Sequence, residues 1–321
     1  MIFARRKILR LRAAALGTLW ILPVCIPARA AQASPAAPGM REVTDETGRR
    51  VVIPVVVRRI VSIAPNLTET IYALGAQDHL VGDTDYCDYP PEARLKPHVG
   101  NAMNPSLEEI VALKPDLVLA AANTINRLPT VQALERIGVS VYATDPHTVG
   151  EVIASIERVA DLIGVSEQGK ALASRLKARL EALQQRLAGR ARVRALFVVW
   201  DEPLISIGPR SFLADALRWA GAESVINSRQ LWPQVSLEEV VRQQPDYLIF
   251  ASGDRESGEH EFESLAARPA WRELRAVRER HIAIVSDAIN RPAPRLVDAI
   301  EQLARDLHPE AFAEKPAESA R

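Results

Sequence analysis

The stretch Ser106-Leu107-Glu108-Glu109-Ile110-Val111 runs on to Pro115-Asp116-Leu117-Val118, and the same text returns as Ser236-Leu237-Glu238-Glu239-Val240-Val241 and Pro245-Asp246-Tyr247-Leu248. Every matched pair is 130 residues apart. Each copy reads as a helix with acids in its first turn, then Pro-Asp, then an apolar strand. One such unit can arise by chance in an α/β chain, but a whole run of identities and near-identities at a single offset argues for two similar lobes. A weaker echo, at an offset of 146, links Ala73-Leu74-Gly75-Ala76 with Trp219-Ala220-Gly221-Ala222.

Outward from the repeat, short apolar runs rich in β-branched residues alternate with segments of helical spacing. The runs are Ile60 to Ala64, Leu117 to Ala121, Val139 to Ala143, Ala195 to Trp200, Tyr247 to Ala251 and Ile282 to Val285. Near-continuous apolar strands separated by helices predict parallel sheets covered on both faces. Between Ser166, a plausible N-cap, and Gly189, a plausible terminator, leucines fall at 172, 176, 180, 183 and 187. That spacing predicts one long helix with a single apolar stripe. A surface helix of one domain would carry the same stripe; its place at the middle of the chain favours a connector. The expected fold class is therefore α/β: two Rossmann-like lobes with mainly parallel sheets, at 42–163 and 191–308, joined by one long α-helix at 164–190.

The chain of 321 residues balances 40 Lys+Arg against 40 Asp+Glu, with no long block of one sign in its body, which disfavours a nucleic-acid partner. Residues 1–30 hold six of those bases and no acid, so without them 34 bases face 40 acids. A basic start, an apolar stretch from Ala13 to Ile26 and then Ala28-Arg29-Ala30 read as a signal peptide cleaved near Ala30. Membrane spanning takes about 20 apolar residues; this stretch is shorter and contains Pro23. Arg5-Arg6 leaves Sec and twin-arginine routes open. A flexible leader is expected at 31–41 and a tail at 309–321. Cys25 falls in the signal without the small residue expected before a lipidated cysteine, so the mature chain keeps Cys87 alone and has no internal disulfide.

No G-x-G-x-x-G after a strand, no G-x-x-x-x-G-K-S/T and no G-x-S-x-G is present, and the six histidines are scattered singly. No catalytic constellation and no metal site are expected. Ligands of open parallel sheets bind beyond the carboxyl ends of the strands. Those ends carry Pro65-Asn66, Asn123, Trp200-Asp201 and Asp287 to Arg291. Tyr86, in a loop closed by Pro90-Pro91, and Trp232, before Pro233-Gln234, are aromatics in proline-bearing loops, where ligand contact and structural packing are equally open readings.

Arg59-Ile60-Val61-Ser62-Ile63-Ala64-Pro65-Asn66-Leu67-Thr68-Glu69, Asp85-Tyr86-Cys87-Asp88-Tyr89-Pro90-Pro91, the first repeat, Trp232-Pro233-Gln234-Val235-Ser236 and Ser286-Asp287 to Pro294-Arg295 together resemble the periplasmic cobalamin-binding proteins of vitamin B12 ABC importers. The resemblance covers nearly the whole mature chain. The Ser-Leu-Glu-Glu element is shared with haem and siderophore receptors of the same superfamily, whereas the Asp-Tyr-Pro-Pro loop and Trp-Pro-Gln-Val-Ser are more particular to the cobalamin group. It implies a periplasmic monomer that uses no cofactor, binds cobalamin or a related corrinoid in the interlobe cleft, and delivers it to an ABC permease with its ATPase. It assigns Tyr86 and Trp232 to the corrinoid face and Asp287 and Arg291 to its polar edge. Family aromatics are replaced at Asn101, at Ala121 or Ala122, and at Ile205, with Trp200 as the neighbouring substitute. Glu108 and Glu238 correspond to glutamates that enter arginine pockets of the permease, although acids in a first turn also complement the helix dipole. The rival within the superfamily is a haem or ferric-siderophore receptor; the rival of another class is a chelatase-like α/β enzyme.

Overall fold

A computed structural model describes residues 39–122 and 128–313, apart from the Leu128 side chain. The expected signal peptide, most of the leader, Asn123 and the end of the tail lie outside the described residues. Two four-stranded parallel sheets form the frame. Across the first sheet the strands run Leu80–Gly82, Ile60–Ser62, Leu117–Ala121 and Val141–Thr144. Across the second they run Ala222–Ser224, Val193–Val198, Tyr247–Ser252 and Ile282–Ser286. In both sheets, the strand that is second in chain order lies outside the first, and the third and fourth lie on its other side, so the repeated text has become a repeated topology.

Local chemistry explains why those letters recur. Ser106 and Ser236 are N-caps whose hydroxyls accept from the backbone N–H of Glu109 and Glu239, at 3.3 and 3.2 Å. The helices Leu107–Ala112 and Leu237–Gln243 end at residues in the left-handed region, Lys114 at φ 47° and Gln244 at φ 45°. Asp116 then accepts from the backbone N–H groups of Arg58 and Arg59 at 2.8 and 2.9 Å, as Asp246 accepts from that of Arg194 at 3.2 Å. The Arg59 guanidinium donates back to the carbonyls of Leu113 and Lys114, and Arg194 to those of Gln243 and Gln244, which satisfies the open helix ends. In the weaker echo, Gly75 and Gly221 both have positive φ, 71° and 79°, just past the helices Pro65–Ala73 and Phe212–Trp219.

The long helix spans Ser166–Leu187. Ser166 is its first residue and not its cap: Gly164 at φ 81° turns the chain out of the preceding helix, Val149–Leu162, so abruptly that Val165 takes the cap position without a side-chain bond. Gly189 follows the helix at φ 76°. All five predicted leucines are buried. Near its start the helix closes on Val149–Leu162 so tightly that a Cβ at Gly169 would come within 2.4 Å of the Ala160 Cβ. Farther along, Arg179 forks onto Glu301 at 3.0 and 2.9 Å and reaches Asp298 at 2.6 Å, on the second-lobe helix Leu296–Leu307.

Alternation along the strands builds three cores. Leu117, Leu119 and Ala121 of the first sheet, the leucine stripe, and Ala195, Phe197 and Ile249 of the second sheet belong to one continuous apolar cluster. Val118 and Ala120 face a separate outer core in the first lobe, and Leu196, Val198, Leu248 and Phe250 face another in the second. The connector is thus part of a core shared by both lobes, and opening the lobes would tear apolar contacts. Leu180, 2% exposed, sits mid-stripe; its replacement by alanine is expected to lower unfolding free energy by about 2–5 kcal/mol. Replacing the adjacent, exposed Glu181 by alanine should change it by no more than about 0.5 kcal/mol. Urea titration checks both, and equal small losses contradict the buried seam.

Candidate functional site

Both sheets end at one cleft. The first strand of the first lobe leads through Ala64 into the helix Pro65–Ala73, and Pro65 and Asn66 line a cavity of about 350 Å³ that Tyr86 borders on the same side. From the second lobe, Phe212, Trp232, Asn290 and Arg291 close it. A larger cavity of about 620 Å³ opens at the end of the second sheet, with Trp200, Asp201, His260 and Glu261 on its walls. Trp232 and Asn290 line both, so the two are adjoining chambers of one site.

Three aromatic rings stand open in this site: Trp200 is 58% exposed, Tyr86 50% and Trp232 40%. Each is held by its backbone. The Tyr86 loop is anchored at Cys87, which is buried, accepts from the Thr68 hydroxyl at 3.2 Å and donates its backbone N–H to Thr84 at 2.8 Å. Burial pushes the Cys87 thiol pKa up, which favours the neutral thiol packed at this position. The Trp232 segment is tied to the neighbouring chain by Gly208 N–H to Leu231 O at 2.9 Å, Ser206 N–H to Pro233 O at 3.0 Å and Val235 N–H to Leu204 O at 2.9 Å. Gly208 is required there, because a Cβ would lie 1.9 Å from the Gln230 carbonyl oxygen. Trp200 starts a short hairpin in which it pairs with Ile205, the position where the resemblance led to an expected aromatic. Its indole N–H donates to Glu202 O at 2.8 Å, which fixes the ring.

Charge gathers on the cleft floor. Arg291 reaches from the second lobe to Glu69 at 2.8 Å and Asp88 at 2.6 Å in the first. Arg295 grips Glu69 at 2.7 Å and lies 3.5 Å over the Tyr89 ring. Glu69 is 3% exposed, so the tie between the lobes is buried at its centre, while the Asp88 side chain at its edge is 42% exposed. The Arg291 hydrogen bond holds the Asp88 carboxyl below the ordinary carboxylate range. Burial opposes the charge on Arg291, but its bonds to Asp88 and Glu69 outweigh that and its pKa rises. Arg291 therefore lines the smaller chamber with its guanidinium already engaged. Asp287, 3.8 Å from Arg291, lines neither chamber.

The structure thus brings Tyr86, Trp232 and Arg291 to one chamber and Trp200 and Trp232 to the other. Sequence reading singled out none of Glu69, Phe212, His260 and Glu261 as a site residue. Glu69 stood within a quoted stretch, and Glu261 lies on the helix Arg255–Ala266 with no flanking motif. Away from the cleft, Glu108 and Glu238 are exposed at equivalent places in the first turns of their helices, and neither has an ion pair among the described residues. Glu239 instead bonds Gln243 at 2.9 Å and pairs with Arg242. Among the described residues no group of three or more His, Cys, Asp or Glu side chains is arranged to hold a metal.

A family model described as periplasmic binding protein matches residues 60–288. A protein of Vibrio parahaemolyticus named vitamin B12-binding protein is 31% identical over 249 residues, 76% of this chain and 87% of its own length. The crystal structure of the periplasmic vitamin B12 binding protein of Vibrio cholerae superposes with a TM-score of 0.70 at 30% identity, covering 80% of this chain and 99% of that one. A periplasmic heme-binding protein from Roseiflexus sp. RS-1, in apo form, superposes at 0.69 with 25% identity, covering 79% and 99%.

Proposed function

Because the chain belongs to the periplasmic binding protein family, we propose that it captures cobalamin or a related corrinoid between its lobes and hands it to an ABC permease. The family and these relatives are binding proteins, which removes the chelatase alternative. The observation that carries the reading is the set of three exposed rings, Tyr86 from the first lobe with Trp200 and Trp232 from the second, held around adjoining chambers. A corrin is a broad apolar plate with an amide edge: rings cover the plate, and the exposed amide of Asn290 offers a donor and an acceptor to the edge. The relatives named for vitamin B12 support this ligand class.

Capture proceeds with little hinge movement, since the shared core and the Arg291 cluster resist opening, and the partner ATPase supplies the transport energy. Glu108 and Glu238 dock the loaded receptor to arginines of the permease. The protein works as an exported monomer after cleavage near Ala30. Cyanocobalamin should quench the tryptophan fluorescence of the mature protein with an end point near one ligand per chain, through Trp200 and Trp232. A titration without quenching contradicts the assignment of the rings.

A further inference from the structure

The larger chamber has a sign. Glu261 is half-buried on its wall and, among the described residues, its carboxylate has no hydrogen-bond or ion-pair partner. Asp201, the other acid there, is held by Arg268 at 2.6 Å. Arg268 also lies 3.7 Å from Glu202, so one guanidinium serves two acids and none is left for Glu261. Burial first, and the Asp201 charge second, push the Glu261 carboxyl pKa up, as expected of an acid short of donors. Among the described residues, Arg291 is the one guanidinium lining either chamber, and Glu69 and Asp88 occupy it. The site therefore offers a bare acceptor and no free arginine.

Macrocycles of similar breadth differ at the rim. The corrin rim carries neutral amides, which are N–H donors, whereas the haem rim carries two carboxylates. Resting on the corrinoid reading above, we propose that Glu261 is a specificity residue of the site: its carboxylate accepts hydrogen bonds from the amide rim of a corrinoid and repels a carboxylate-bearing rim. Discrimination then combines one favourable contact with one repulsive element on the same side chain.

The test titrates mature wild-type, Glu261→Gln and Glu261→Ala proteins with cyanocobalamin, with a cyanocobalamin monocarboxylate in which one rim amide is hydrolysed, and with haemin. Glutamine keeps an acceptor and loses the charge. It should hold cyanocobalamin affinity within about threefold while narrowing the preference over haemin by about tenfold. Alanine should weaken cyanocobalamin by about tenfold, as loss of a hydrogen bond to a charged group does, and also narrow the preference over the monocarboxylate. Tight cyanocobalamin binding with all preferences unchanged in both variants overturns the role of Glu261 and leaves the corrinoid reading standing. A wild-type protein that binds no corrinoid overturns that reading, and this proposal with it.

Discussion

Trp232→Ala is expected to weaken corrinoid binding by about 30-fold to 1,000-fold, equivalent to roughly 2–4 kcal/mol. Trp232 lines both chambers, so a ligand held between the lobes as proposed would meet its ring whichever chamber holds the larger part. A tryptophan buries about 150–250 Å² when fully covered; with 40% of Trp232 exposed, a ligand can cover about 60–100 Å² of it, which at about 25 cal/mol per Å² contributes about 1.5–2.5 kcal/mol, and the ligand face removed from water adds to this. Its backbone is fixed by three hydrogen bonds to neighbouring segments, so little ordering cost is incurred on binding. In the free protein the residue is 40% exposed, so its loss should lower the melting temperature by a few degrees through the covered part of the ring while leaving the protein folded. Calorimetric titration beside a thermal melt separates the two effects. Affinity within about twofold of wild type, with the fold intact, removes Trp232 from the site.

Replacing Glu108 and Glu238 together by alanine is expected to spare ligand affinity and to cut permease-coupled uptake by about a hundredfold or more, since on the proposed reading two charge-assisted contacts worth about 1.5–3 kcal/mol each are lost. Both carboxylates occupy the second residue of the first turn in the repeated helix, are exposed, and lack an ion pair among the described residues. Two such acids on pseudo-symmetric lobes would suit the proposed docking if the permease surface has two-fold symmetry. Their favourable interaction with the helix ends is worth only about 0.3–1 kcal/mol each, so stability changes little. Glu109→Ala with Glu239→Ala is the internal control and should transport normally. Uptake by reconstituted permease is the readout; normal uptake by the Glu108/Glu238 pair variant contradicts docking through these acids.

The two lobes were legible because the repeat encodes local tasks. Ser106 and Ser236 cap, Lys114 and Gln244 turn the chain, and Asp116 and Asp246 bind the adjoining strand. Those jobs depend on a few neighbouring residues and leave a fixed text. The bridging helix was legible from one leucine stripe. The strands Leu80–Gly82 and Ala222–Ser224 were not, because three residues at a sheet edge carry too little apolar periodicity to stand out. The site was only partly readable. Exposed rings in proline-bearing loops pointed to Tyr86 and Trp232, but the engagement of Arg291 with Glu69 joins residues 222 positions apart. Glu261 takes its character from burial and from Asp201 sixty positions away in the chain, and no local pattern announces that.

Which macrocycle the cleft prefers decides the corrinoid reading most directly. Competition titration of the mature protein with cyanocobalamin, haemin and a ferric siderophore measures it. Binding of cyanocobalamin near one per chain, undisplaced by equal concentrations of the other two, is the predicted result; tighter binding of haemin or of the siderophore contradicts it.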